Sequence, residues 1–250
     1  MLRYRPSKQL LADRTILVTG ASDGIGRVAA IHYAQHGATV LLLGRDRKKL
    51  EAVHDEIVQS TKTAPFIVPF DLASLTKDSE ANFTESVVGS LDCLDGVLHN
   101  ASLLGPKVPL AHYPAPEWET VMHVNATAAF LLTKALLPLL EKASDASVIF
   151  TSSGVGRKGR AYWGAYAVSK FATEGIMEVL ADELSDTHIR VNSLNPGGTR
   201  TAMRAAAYPA EDPFTLPAPE QHMDLYLYLM GPDSKGVTSQ KFEAASWRGP

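Results

Sequence analysis

The stretch 161-AYWGAYAVSK-170 brings two phenols, Tyr162 and Tyr166, close to one ammonium, Lys170. On a helix, residues three or four apart share a face, so Tyr162 stacks over Tyr166 and Tyr166 over Lys170. A tyrosine near a helix start is commonly a packing residue with a wet hydroxyl. The other reading is acid–base chemistry. A free phenol titrates at about 10, which makes it a fair acid and a poor base at neutral pH. A cation beside it favours the phenolate and lets one group move a proton in both directions. Carbonyl reduction needs such a group, because a hydride on carbon must be matched by a proton for oxygen and a donor for the developing oxyanion. Spacing alone does not choose between the tyrosines.

A second chemical signal is the turn 19-TGASDGIG-26, between an apolar run and a helical pattern. Its glycines let the chain turn sharply, approach a ligand closely and pack a helix on a strand. The free N–H groups at the start of that helix favour an anionic pyrophosphate. This context, between a first strand and a first helix, is the one a dinucleotide-binding turn requires.

Both signals need a frame to position them. Apolar runs at 15–20, 38–44, 66–70, 95–100, 147–153 and 189–195 suit strands buried on both faces, with a last candidate at 237–244. Helical patterns intervene at 27–36, at 47–60, from about 117 and from about 164. That alternation predicts an α/β fold: a doubly wound, Rossmann-type parallel sheet of about seven strands, helices on both faces, in one domain over residues 1–250. The ordered core is expected over about 13–245. Prolines 209, 213, 217 and 219 forbid a long helix in 199–223, and loops of this kind often serve as lids.

The bulk numbers exclude several classes. A net charge of −3 with 20% charged and 45% hydrophobic residues gives no electrostatic reason for a nucleic-acid or membrane partner. The run 126–140 carries Lys134 and Pro138 and reads as a buried helix rather than a span. Cys93, the single cysteine, cannot form an internal disulfide and reads as a small buried residue in a reducing, cytoplasmic setting. His32 and His36 have the spacing of helical zinc ligands but no third ligand, so no metal is expected and both read as surface residues.

The motif T-G-x-x-x-G-I-G at 19–26, Y-x-x-x-K at 166–170 and a serine thirteen residues before Tyr166 resemble the short-chain dehydrogenase/reductase family. The resemblance selects Tyr166 for proton transfer, leaving Tyr162 as packing or pocket lining. It assigns Ser153 to polarising the substrate oxygen, Lys170 to the nicotinamide ribose and the tyrosine's pKa, and Asn125 in 122-MHVNATAAF-130 to a water-mediated relay. Ser152 then reads as a strand-end residue. Cofactor binding is implied for Gly20, Ser22, Asp23, Gly24, Ile25, Gly26, Arg45, Asp71, Leu72, Asn100, Ala101, Tyr166, Lys170, Pro196, Gly197, Thr199 and Thr201. The motif after the fourth strand, 99-HNAS-102, differs from the family's N-N-A-G at His99 and Ser102.

Members that use NAD carry an acid at the end of the second strand, where this chain has Gly44 followed by Arg45. An arginine there can grip a 2′-phosphate, so NADP is implied over NAD, although Asp46 follows directly and Asp23 takes the place in the glycine turn where many NADP-dependent members carry a basic residue. The family resemblance further implies a small carbonyl or alcohol substrate and a homodimer or homotetramer through the long helices at about 117–141 and 164–185. Residues 202–223 would form a substrate lid, and Leu103, Leu104, His112, Tyr113, Tyr162 and Trp163 are candidate pocket residues. The stretches 148–175 and 195–205 are similar to one uncharacterised subgroup of the family. A catalytically silent NADP-binding regulator is the alternative, and the intact Ser–Tyr–Lys set argues against it.

Overall fold

A computed structural model describes residues 4–79, 83, 84, 89 and 91–250. Its centre is a seven-stranded parallel sheet of order β3-β2-β1-β4-β5-β6-β7. The strands are β1 (Thr15–Thr19), β2 (Thr39–Gly44), β3 (Phe66–Pro69), β4 (Gly96–His99), β5 (Ala146–Thr151), β6 (Ile189–Asn195) and β7 (Lys241–Glu243). The inner strands β4, β5 and β6 are buried throughout, β6 with its polar Arg190, Asn192, Ser193 and Asn195 included. The strand order reverses between β1 and β4. A cleft opens there at the carboxyl ends of parallel strands, where the flanking loops diverge.

One face of the sheet is covered by helices α1 (Gly24–Gln35), α2 (Arg47–Ser60) and α7 (Met223–Met230), which share a core with Val18, Val40 and Leu98. The other face packs α4 (Ala128–Leu140) and α5 (Gly164–Glu183) on Leu17, Val97 and Val148. A shorter helix, α3 (Ala115–Met122), continues through a π-helical turn, His123–Thr127, into α4. The 26-residue stretch Ala115–Leu140 is long and apolar enough to cross a bilayer, yet 67% of its most apolar window is buried inside the protein. It is a core helix.

Two expectations need correction, and a third is met in detail. Helix α1 begins at Gly24, three residues before its apolar pattern, because Asp23 accepts a hydrogen bond from Gly24 N (2.7 Å) and caps it. Strand β7 is only three residues long. The stretch before it is a turn, with Ser239 at φ 58° and Ser239 N bonded to Val191 O. Beyond 199-TRT-201 the chain forms a short helix, α6 (Ala202–Ala207), and two single turns, Pro213–Thr215 and Pro219–His222, before α7. The prolines therefore stop a long helix, and Pro213 and Pro219 start the two single turns at the first position, where the missing N–H costs nothing.

Candidate active site

The cleft has a volume of about 550 Å³ and runs from the end of β2 to α6. Seventeen of the expected residues line it: Gly20, Ser22, Asp23, Gly24, Ile25, Arg45, Asp71, Leu72, Asn100, Ala101, Ser153, Tyr166, Lys170, Pro196, Gly197, Thr199 and Thr201. Gly26 and Asn125 do not. Gly26 lies behind the turn, where a Cβ would sit 2.3 Å from Gly20 O and 2.6 Å from Asn100 Nδ2. It is the glycine that lets α1 press against the strand. Gly20 and Gly24 adopt φ of 66° and 54°, and a Cβ on Gly20 would crowd the Ala101 backbone at 3.0 Å. Thr19 Oγ1 accepts from both Asn100 N (2.9 Å) and Ala101 N (3.0 Å), joining the glycine turn to the loop after β4.

At the adenosine end, Arg45 is exposed and makes no ion pair among the described residues, whereas Asp46 spends its carboxylate capping α2 through Lys49 N (3.2 Å). An acid in place of Gly44 would crowd Leu50, which lies 3.2 Å from the position of a Cβ. Asp71 lines the cleft and also caps a single turn through Ala73 N (3.0 Å). Sequence reasoning missed Lys49, which lines the same end. Its signal was the i, i+4 spacing from Arg45 across a helix start.

At the other end, α5 carries Tyr166 and Lys170 on one face, both buried. Lys170 Nζ donates to Thr151 O (2.7 Å) and lies 5.7 Å from the centre of the Tyr166 ring. Burial lowers the Lys170 ammonium from 10.5 to about 8, against the opposing pull of Glu174 one turn on. Burial also raises the Tyr166 phenol above its ordinary value, and a hydrogen bond with Ser153 draws it partway back. The sequence expectation that Lys170 depresses the phenol is therefore not met by the protein alone, because desolvation dominates at both groups. The Ser152 hydroxyl, buried in the cleft wall, has no partner among the described residues.

Asn125 sits in the π turn with its amide fully used. Its Oδ1 accepts from Leu103 N (2.7 Å), and its Nδ2 donates to Leu103 O (2.9 Å) and Ser169 Oγ (2.9 Å). It therefore pins the loop after β4 to α5. It also borders a small cavity of about 10 Å³ shared with Lys170, Thr151 and Thr173, close to the space one water needs. His99, at the position that departs from the family's motif, stacks on Phe150 (4.6 Å) and meets Thr133 Oγ1 through Nε2 (2.9 Å). Burial and the nearby Lys170 charge depress it to about 3, so it stays neutral.

Among the pocket candidates, Leu103, Leu104 and Trp163 line the cleft. Tyr162 does not: it is 58% exposed at φ 72°, pushed outward by the turn that starts α5. His112 is exposed, and Tyr113 packs under Gly105 and Gly164 and edge-on to Trp118. Cys93 is partly exposed rather than buried. His32 and His36 are half-buried, with His36 Nδ1 on His32 O (2.8 Å), and no metal-ligating cluster occurs among the described residues. Met203, Arg204 and Ala207 of α6 reach the cleft but carry no motif that the sequence could flag.

A family profile described as short chain dehydrogenase matches residues 14–212. The chain is 53% identical over 249 residues to the uncharacterised oxidoreductase YciK of Escherichia coli K12, covering 100% of this chain and 98% of that one. Two solved structures align with TM-scores of 0.93. A short-chain dehydrogenase from Shigella flexneri 2a, complexed with NADP, is 53% identical and is covered over 96% of this chain and 100% of its own. One from E. coli CFT073, complexed with NADPH, is 54% identical, over 96% and 99%. The chain therefore belongs to the short-chain dehydrogenase/reductase family and is an oxidoreductase of CH–OH and C=O groups.

Proposed function

We propose that the protein is an NADP-dependent reductase or dehydrogenase that interconverts a small carbonyl compound and its alcohol, with Tyr166 moving the proton. The observation that carries this reading is the grouping of buried Tyr166, its Ser153 partner and Lys170 at one end of a glycine-cradled cleft. The residues present fit a dinucleotide: the positive-φ glycines let a pyrophosphate approach the N-terminus of α1, unpaired Arg45 suits a 2′-phosphate, and Ser152 offers an unsatisfied hydroxyl. When bound, the nicotinamide supplies or accepts the hydride.

The chain's own residues do the rest. Ser153 holds the substrate oxygen and Tyr166 gives it a proton in reduction, or takes one in oxidation. The buried Lys170 ammonium replenishes that proton, and the small cavity beside Asn125 suits a relaying water. Pro196, Gly197, Thr199 and Thr201 line the cleft and would receive the carboxamide side. An apolar wall of Leu104, Trp163, Met203 and Ala207 adjoins Tyr166 and suits a substrate with an apolar body. Segment 202–223 would act as its roof, held by Lys107 Nζ on Ala207 O (2.6 Å) and by the paired Arg204 and Glu211.

The test is Tyr166→Phe with paired readouts. Carbonyl turnover should fall about a thousandfold while NADPH affinity is retained. Turnover near that of the parent protein would remove the assignment.

A further inference from the structure

At the adenosine end of the cleft, charges from two elements meet. Asp23 closes the glycine turn and caps α1, which leaves its second carboxylate oxygen facing outward. Lys49 stands on the first turn of α2, and its Nζ lies 3.6 Å from that oxygen, Asp23 Oδ2. Both line the cleft beside Arg45. Neighbouring Arg47 is directed along α2 to Glu51 (3.4 Å) and does not line the cleft. The turn itself contributes no cation. Left uncompensated, the Asp23 carboxylate would repel a dianionic phosphate bound beside Arg45.

We propose that Lys49 determines cofactor specificity. Its ammonium cancels Asp23 and, together with Arg45, supplies the positive charge that a ribose 2′-phosphate requires. The proposal rests on the NADP reading given above and adds a residue to it. The start of α2 explains how it can do this. Lys49 stands on the first turn after the Asp46 cap, which fixes its backbone by accepting from its N–H, and both Lys49 and Arg45 line the cleft. NADH carries a neutral hydroxyl at the same place, so the Lys49 charge acts on NADPH and hardly on NADH.

Fluorescence titrations of NADPH and NADH against the parent protein, Lys49→Met, Asp23→Asn and the double variant, at fixed ionic strength, test this. Asparagine keeps the side-chain oxygen that caps α1. Lys49→Met should weaken NADPH about tenfold, equivalent to about 1.4 kcal/mol, and leave NADH within about twofold. Adding Asp23→Asn to Lys49→Met should recover much of the lost NADPH affinity. Equal losses for both cofactors, or none for NADPH, overturn the proposal. Failure of Asp23→Asn to recover binding overturns the role of Asp23. A parent protein that binds NADPH and NADH alike removes the NADP reading itself, an outcome distinct from a preference that survives in Lys49→Met.

Discussion

Lys170 and His99 are both pulled away from their ordinary values by burial, and both act on measurable pH dependence. Lys170 titrates near 8 in the folded chain against 10.5 ordinarily, so folding favours its neutral form. Its contribution to stability is therefore complete above the unfolded value and is lost as pH falls through about 8. Catalysis has the opposite need, because proton delivery to a carbonyl uses the ammonium. We expect kcat/KM for reduction to fall above about pH 8 and the limb to move upward in Lys170→Arg. A profile flat to about pH 10 would contradict the role of Lys170. His99, at about 3 against 6.5, is likewise favoured neutral. Its stabilisation is full above 6.5 and disappears as pH falls toward 3. Thermal melts should show that acid loss in the parent protein and less of it in His99→Gln.

Short segments between elements decide where those side chains stand. The glycine turn works because α1 approaches β1 closely, and Gly26 is the point of contact. Gly26→Ala should lower stability by about 1–3 kcal/mol and abolish NADPH binding, since the backbone at Gly20 must give way. Gly159→Ala, with nothing within 4 Å of the added carbon, should stay within about 0.5 kcal/mol. Melting temperature and cofactor fluorescence check both. The π turn at His123–Thr127 is a comparable device, as it turns Asn125 inward to hold the Leu103 backbone from both sides. Asn125→Ala would leave that buried N–H and C=O unpaired, at a cost of about 1–3 kcal/mol for each group.

Across the molecule, an apolar surface lies on the two long helices. Phe130 of α4 and Val168, Phe171 and Val179 of α5 are all at least 40% exposed, although the opposite face of each helix is buried in the core. The α5 residues recur at helical spacing on one face, with Gly175 open between them. A second copy of the chain is the partner expected for this surface, in line with the homo-oligomer that the family resemblance implies. Phe171→Glu should shift the protein toward monomer in light scattering coupled to size exclusion. A parent protein that is already monomeric would refute the expectation.

Strand and helix order was legible in the sequence because a sheet buried on both faces leaves unbroken Val, Ile and Leu runs, and a helix over it leaves a 3.6-residue pattern. Tyr166, Lys170 and the glycine turn have local spacings that one helix or one turn enforces, whereas Ser153 was singled out by the family resemblance; all of them line the cleft. The family resemblance also singled out Arg45 by its position after β2, and that residue lines the cleft. The sequence could not rank Tyr162 outside the pocket, since that depends on a single residue at φ 72° at the entry to α5. Nor could it find Lys49 opposite Asp23, the Asn125 contact with Leu103, or Met203 and Ala207 in the cleft. It gave no sign that burial raises the Tyr166 phenol in the protein alone, because desolvation is a property of everything packed around a group and not of its neighbours in the chain. Local geometry is written in short-range spacing, whereas contacts across the cleft and the loss of water exist only once the sheet has brought distant loops together.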